Sequence, residues 1–204
     1  MLELEQGKKL VKLARSTVEK KIKEGKFEIG KTDDKELNEK RGVFVTIQVF
    51  PEKTLRGCIG TTSGDLSIYE GVQKVAFSSA FEDPRFPPIK KENLDKIIFE
   101  VSVLSKPESI QVKDPDEYAK KIEIGKDGLI LKNGPFSGLL LPQVPLEFKW
   151  NASEFLDNLC FKAGLTSDWL HDENTRLWKF QSQIFAEKKP EGEIVEIKLA
   201  KHVK

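Results

Sequence analysis

The stretch Gly42-Val43-Phe44-Val45-Thr46-Ile47-Gln48-Val49-Phe50, followed at once by Pro51-Glu52-Lys53-Thr54-Leu55-Arg56-Gly57-Cys58-Ile59-Gly60, decides the fold class. Val43, Val45, Ile47 and Val49 alternate with the two-residue period of a strand that has one buried face. Pro51-Glu52-Lys53 is a turn, and Leu55 to Ile59 reads as a second short strand pairing back as a hairpin. A polar break over residues 61–65 then leads into a helix from Ser67 to Phe81. Ile68, Val72, Val75, Ala76, Ser79 and Ala80 give that helix one face of small and apolar residues, suited to close packing on a sheet. A hairpin followed by a helix departs from strict βαβ order. The class is therefore α+β, a mixed or antiparallel sheet flanked by helices.

The rest of the chain extends this pattern. Residues 2–24 carry Leu10, Val11, Ala14, Val18 and Ile22 at helical spacing, and Gly25 stands where a C-terminal cap belongs. Residues 31–40 read as a polar loop and Ile97 to Leu104 as a third alternating strand. Asp114-Pro115 starts a short helix, and residues 122–131 suggest a hairpin turning at Lys126-Asp127-Gly128. Asn151 with Glu154 has capping-box spacing, and the following helix turns Phe155, Leu156, Leu159, Cys160 and Ala163 inward before Gly164. Residues 176–185 and 193–199 read as two final strands joined by a Lys-Pro-Glu-Gly turn. The 204 residues suit one domain over 1–204.

Composition removes several function classes. There are 34 basic and 33 acidic residues, a formal charge of +1, so nothing in the charge suggests a nucleic-acid partner. No apolar run approaches the roughly 20 residues of a membrane span, and the first residues lack the order of a signal peptide. The expected location is cytoplasmic. Two cysteines outside any C-x-x-C spacing and two histidines signal neither a disulfide framework nor a metal site, and no cofactor is expected. The Lys- and Glu-rich, Met- and Cys-poor mixture is common in thermophile proteins.

Arginine is the informative residue. Against 29 lysines stand five arginines: Arg15, Arg41, Arg56, Arg85 and Arg176. A chain that uses lysine so freely for solubility places arginine where a planar five-donor fork matters. Arg56 lies in Leu55-Arg56-Gly57-Cys58-Ile59-Gly60-Thr61, and Arg85 in Glu82-Asp83-Pro84-Arg85-Phe86-Pro87-Pro88. In the first segment Gly57 and Gly60 permit close backbone approach, and Thr61, Thr62 and Ser63 add hydroxyls before a helix N-terminus. Such a set suits a carboxylate or phosphate. A nearby guanidinium would depress the Cys58 thiol's pKa and make it a nucleophile assisted by Arg56. The competing reading is a strand with Cys58 as a small buried hydrophobe, glycines serving a bulge and an arginine paired to a carboxylate. The second segment either presents Arg85 and a carboxylate at a rim, or is a rigid crossing with Asp83 capping a turn and Phe86 anchored in the core. A pocket formed where the segments meet would be lined by Arg56, Cys58, Phe86 and Gln143. A helix of about 15 residues spans roughly 22 Å, which brings Phe86 to Ile89, rather than Asp83, back to the Arg56–Gly60 strand.

At these residues the chain resembles the AMMECR domain family. The stretches that carry the likeness are LRGCIGT (55–61), SAFEDPRFPPI (79–89), FEVSVLSKP (99–107), IGKDGLIL (124–131), LLLPQVPLEF (139–148) and EFLDNLCFKAGL (154–165). The resemblance implies an α+β fold with a larger and a smaller subdomain, and the Arg56–Gly60 segment near a cleft between them. It implies no established activity. Memo-type and radical-SAM proteins, encoded with or fused to some relatives, are the partners it suggests. Two readings remain. One is a small-molecule or protein-modifying enzyme with Cys58 as a thiolate beside Arg56, and Gly57, Gly60, Thr61, Arg85, Phe86 and Gln143 as ligand contacts. The other is a binding or adaptor module for a protein or nucleic-acid partner in which Cys58 is inert.

Overall fold

The computed structural model describes residues 1–62 and 64–199. In chain order the elements are α1 (Leu4–Glu24), β1 (Val43–Val49), β2 (Thr54–Thr61), α2 (Ile68–Phe81), β3 (Ile97–Leu104), β4 (Glu108–Ser109), β5 (Gly128–Asn133), β6 (Phe136–Leu140), α3 (Val144–Glu147), α4 (Ala152–Lys162), β7 (Arg176–Phe180), β8 (Ser182–Glu187) and β9 (Ile194–Ile197). They form two compact units. The first is Met1–Leu104 with Gln183–Lys198, and the second is centred on Ser105–Ser182.

The first unit is a five-stranded sheet in the order β2-β1-β3-β8-β9, with α1 and α2 on one face. The periodicity of β1 explains the layering. Val43, Val45 and Ile47 lie opposite Val103, Val101 and Phe99 in the antiparallel ladder to β3, and all six are buried in the core shared with the helices. From α1, Leu10, Val11, Ala14 and Val18 enter that core, each of the larger ones worth about 1.5–3 kcal/mol relative to exposure. Gly25 ends α1 in the left-handed region (φ 72°), its N–H donating to the Lys21 carbonyl, as its position implied. At the other helix, Ser67 and Glu70 cap α2 reciprocally. No helix among the described residues is long and apolar enough to cross a membrane.

An ion pair is enclosed beside this core. Arg15 on α1 donates to both carboxylate oxygens of Glu187 on β8, at 2.7 and 2.6 Å, and to the carbonyls of Ile97 and Leu94. The same carboxylate accepts from Phe99 N–H at 3.0 Å, and the guanidinium lies 4.8 Å from the Phe99 ring centroid. One fork thus ties α1, β3 and β8. Both side chains are buried, so neither charge has water to fall back on.

The second unit is a four-stranded sheet, β4-β7-β5-β6, covered by α4. Leu129, Leu131, Leu140 and Leu177 pack with Phe155, Leu156, Leu159 and Cys160, so Cys160 is core. Asn151 caps α4 as its spacing predicts. Two expectations are corrected here. The hairpin does not turn at Lys126-Asp127-Gly128. Asp127 is buried and accepts from Glu123 N–H, closing a local turn, and the hairpin pairs β5 with β6 around Gly134. Residues 176–185 are also not one strand. The ladder breaks at Gln181, whose N–H donates to Ser105 Oγ and whose carbonyl accepts from Ser105 N–H. β7 and β8 therefore belong to different sheets, parted at the polar run Gln181-Ser182-Gln183.

Removing one member of the enclosed pair leaves the other charge buried without its main counter-ion, Arg15 keeping only Glu19 at 3.7 Å and two carbonyls, and Glu187 keeping the Phe99 amide. Arg15→Met or Glu187→Leu is expected to lower unfolding free energy by about 3–5 kcal/mol, read by urea denaturation. The double variant is expected to lose much less than the sum of the two. Additive losses would show that the pair acts as two independent packing groups.

Candidate functional site

The site is built on β2, an edge strand, and on the turn that follows α2. β2 runs antiparallel to β1 with Cys58 opposite Thr46 and Gly60 opposite Phe44, and the register shifts between Ile47 and Gln48, leaving Arg56 in a bulge. On the face turned to α2, the two elements come into backbone contact at Gly57. A Cβ there would overlap the Ser79 carbonyl oxygen of α2, so only glycine fits. One residue further, Ile59 N–H donates to Ser79 Oγ at 2.8 Å, and that hydroxyl donates to the Val45 carbonyl at 2.8 Å. Val45 is the ladder partner of Ile59, so the serine hydroxyl is threaded into the strand pairing. Gly60 serves the other face, where the Phe44 ring lies over it.

The carboxylate beside these amides is the chain's own. Asp83, 4% exposed, accepts from Cys58 N–H at 2.9 Å. It also accepts from Arg85 Nε at 2.9 Å, Arg85 Nη2 at 2.7 Å and Arg85 N–H at 3.1 Å. Arg85 Nη2 returns to the strand by donating to the Cys58 carbonyl at 3.0 Å. The outward N–H and C=O of Cys58 are thus closed by an Asp–Arg pair standing in for a neighbouring strand. Arg85, aided by the two amides, holds the Asp83 carboxyl well below the ordinary carboxylate range. Arg56 donates to the Pro87 carbonyl at 2.6 Å, and the Phe86 ring centroid lies 5.8 Å from Arg56 and 5.5 Å from Arg85.

The structure thereby brings together Arg56, Cys58, Arg85 and Phe86, with Gly57 as the contact that lets α2 approach. Asp83 is the correction to the expected geometry: it touches the strand directly. The helix returns along β2, so its C-terminal end meets Gly57 and delivers Asp83 to Cys58, while Arg85 and Pro87 of the proline segment reach the strand as well. Phe86 is half-exposed rather than anchored in the core, and Ile89 takes the buried position. Thr61 lies toward the far end of β2, in the wall of a cavity of about 170 Å³ with Ile59, Lys74 and Ser78. Gln143 belongs to the second unit, where it precedes α3 and its Oε1 is buried with no hydrogen-bond partner among the described residues. Ser63 falls outside the described residues. Asp83 as the acceptor for the Cys58 amide and Ser79 as a bridge to β2 are the functional groups that the sequence reading does not identify. Their signal was a hydroxyl on an otherwise apolar helix face, and an Asp two residues before one of five arginines.

The thiol is half-buried, with Sγ 3.4 Å from Thr46 Oγ1. Burial pushes its pKa up, opposed by the Thr46 contact and Arg85, while Glu100 and Asp83 add to the rise. By strand alternation from Gly57, the thiol stands on the face of the sheet turned away from α2, beside Thr46. Two motif amides that would steady an oxyanion, those of Cys58 and Ile59, already donate to Asp83 and Ser79.

A family model described as AMMECR1 matches residues 11–185. The chain is 45% identical to protein MJ0810 of Methanocaldococcus jannaschii over 98% of both chains. It is 48% identical to protein PYRAB00100 of Pyrococcus abyssi, over 93% of this chain and 94% of that one. The crystal structure of the uncharacterized protein PH0010 from Pyrococcus horikoshii superposes with a TM-score of 0.88 at 47% identity, covering 96% of this chain and 98% of that one. These relatives come from thermophilic archaea.

Two outcomes test this geometry. Gly57→Ala forces α2 away from β2 and is expected to cost about 1–3 kcal/mol, read by urea denaturation; an unchanged midpoint would refute the backbone contact. For Asp83, the depressed pKa means its stabilisation is complete above the ordinary carboxylate pKa of about 4 and fades as pH falls below that. Asp83→Asn is expected to lose about 2 kcal/mol at pH 7, discounted for the half-exposed Arg85. The gap to wild type should narrow between about pH 4 and 2. A gap constant with pH would mean that the carboxylate charge is not its source.

Proposed function

The chain belongs to the AMMECR1 family, and on that premise we propose that it is a binding module that presents the Arg56–Phe86–Arg85 surface to a partner protein, with Cys58 inert. The observation that carries this reading is the closure of the Cys58 backbone by Asp83 and Arg85. A covalent mechanism needs an ionised thiol and free amide donors for an oxyanion. Here burial raises the thiol, and the Cys58 and Ile59 amides have internal acceptors. What stays open outward is a set typical of recognition surfaces: an arginine, a half-exposed aromatic ring, and Leu55 at 42% exposure. The Memo-type and radical-SAM proteins that the family resemblance suggests fall within this proposal as partners.

Alkylation of the folded chain by iodoacetamide across pH 6 to 10 tests it. Cys58, followed by peptide mass mapping, should react slowly below pH 9 and speed up sharply on denaturation. Rapid native labelling with an apparent pKa below that of a free thiol would return the site to the enzyme reading.

A further inference from the structure

Arg85 and Arg56 share one aromatic ring but not one electrostatic condition. Arg85 holds a carboxylate through two guanidinium nitrogens and a carbonyl through one of them. Arg56 has the Pro87 carbonyl on Nη2, while its Nη1 is shut off from solvent with no acceptor among the described residues. Burial accordingly lowers its pKa, with Asp83 opposing only in second place. A planar cation with a neutral carbonyl on one nitrogen and nothing on the next is half of a bidentate pair.

We infer that Arg56, with Phe86 as its apolar floor, receives a carboxylate carried on an extended acidic segment of a partner protein. This inference rests on the binding reading above and names the chemistry of what binds. Because Nη1 is covered, the guanidinium must shift off the Pro87 carbonyl to meet the incoming group. That exchanges one bond to a neutral oxygen for a charge-assisted pair. Charge selects a carboxylate over a cation: Asp83 is already engaged by Arg85, and a second anion is what Arg56 lacks. The apolar surface beside Arg56 selects a segment over a free small acid. The cavity beside β2 has none of Arg56, Phe86 or Arg85 in its wall, and Leu55 and Phe86 stand beside Arg56 as exposed and half-exposed surface. An acidic residue flanked by apolar ones covers both features at once, whereas a small acid meets only the guanidinium.

The test uses the full chain, labelled with 15N in its arginine side chains, and three probes: an amide-capped decapeptide of alternating glutamate and proline, its glutamine counterpart, and sodium acetate. The glutamate peptide is expected to move the Arg56 side-chain and Phe86 ring signals and to bind at least tenfold more tightly than the glutamine peptide. Arg56→Gln and Arg56→Lys should each weaken it at least fivefold with melting temperature held. If either variant unfolds, the comparison of the two peptides on the native chain carries the test. Equal binding of the peptides, or no movement at Arg56, overturns the inference. So does acetate matching the peptide at equal carboxylate concentration, which would mark a small-anion site. Failure of the peptides while Cys58 stays unreactive in the folded chain removes only the carboxylate. A reactive Cys58 removes the binding reading itself.

Discussion

The arrangement turns on one carboxylate. Asp83 sits at the first bend after α2 and accepts from an amide of an edge strand and from the fork of Arg85. Without it the Cys58 N–H would face outward unpaired and Arg85 would lose its anchor, leaving the proline segment held only by the Arg56–Pro87 and Ile89–Ala80 bonds and the buried Ile89. With it, β2 acquires a partner made of side chains, and Arg56 and Phe86 are set beside each other by the path that the segment then follows. The glycine at 57 belongs to the same constraint, because the helix end delivers Asp83 to Cys58 only if its backbone lies against β2.

That logic recasts a segment whose composition reads as chemistry. Glycines, an arginine, a cysteine and hydroxyls within seven residues are what an anion-binding loop requires, and also what a tightly joined strand and helix require. The two differ in which groups are left over. In the loop, amides point at empty space; here those of Cys58 and Ile59 point at Asp83 and Ser79. The same accounting holds for the arginines. Arg15 and Arg85 grip carboxylates, while Arg41, Arg56 and Arg176 donate to backbone carbonyls. Scarcity of arginine therefore marked positions where a fork is used, without saying whether its object is internal.

Local signals were legible where a single element decides them. The alternation of Val43, Val45 and Ile47, the Ser67–Glu70 and Asn151–Glu154 caps and the stop at Gly25 all follow from short-range geometry. What escaped depends on residues far apart in the chain. Glu187 meets Arg15 across 172 positions, and Ser105 parts β7 from β8 by pairing with Gln181. The polar run Gln181-Ser182-Gln183 stands at that point, but nothing local to it names Ser105 as the partner. Asp83 fell between the two cases. Its partners are near in sequence, but the antiparallel return of α2 along β2 had to be known before they could be assigned.

The pinch between Ser105 and Gln181 also has a bearing on the order in which the molecule is made. The four strands of the second unit's sheet all fall in sequence between two parts of the first unit, so that sheet is complete once Phe180 has left the ribosome. The first unit at that moment has three of its five strands, and Arg15 has no carboxylate to meet until Glu187 follows. A chain synthesised from its N-terminus thus finishes its inner unit before its outer one. The larger sheet meanwhile holds β3 with an unpaired edge, and the last hairpin, β8 and β9, arrives to cover it.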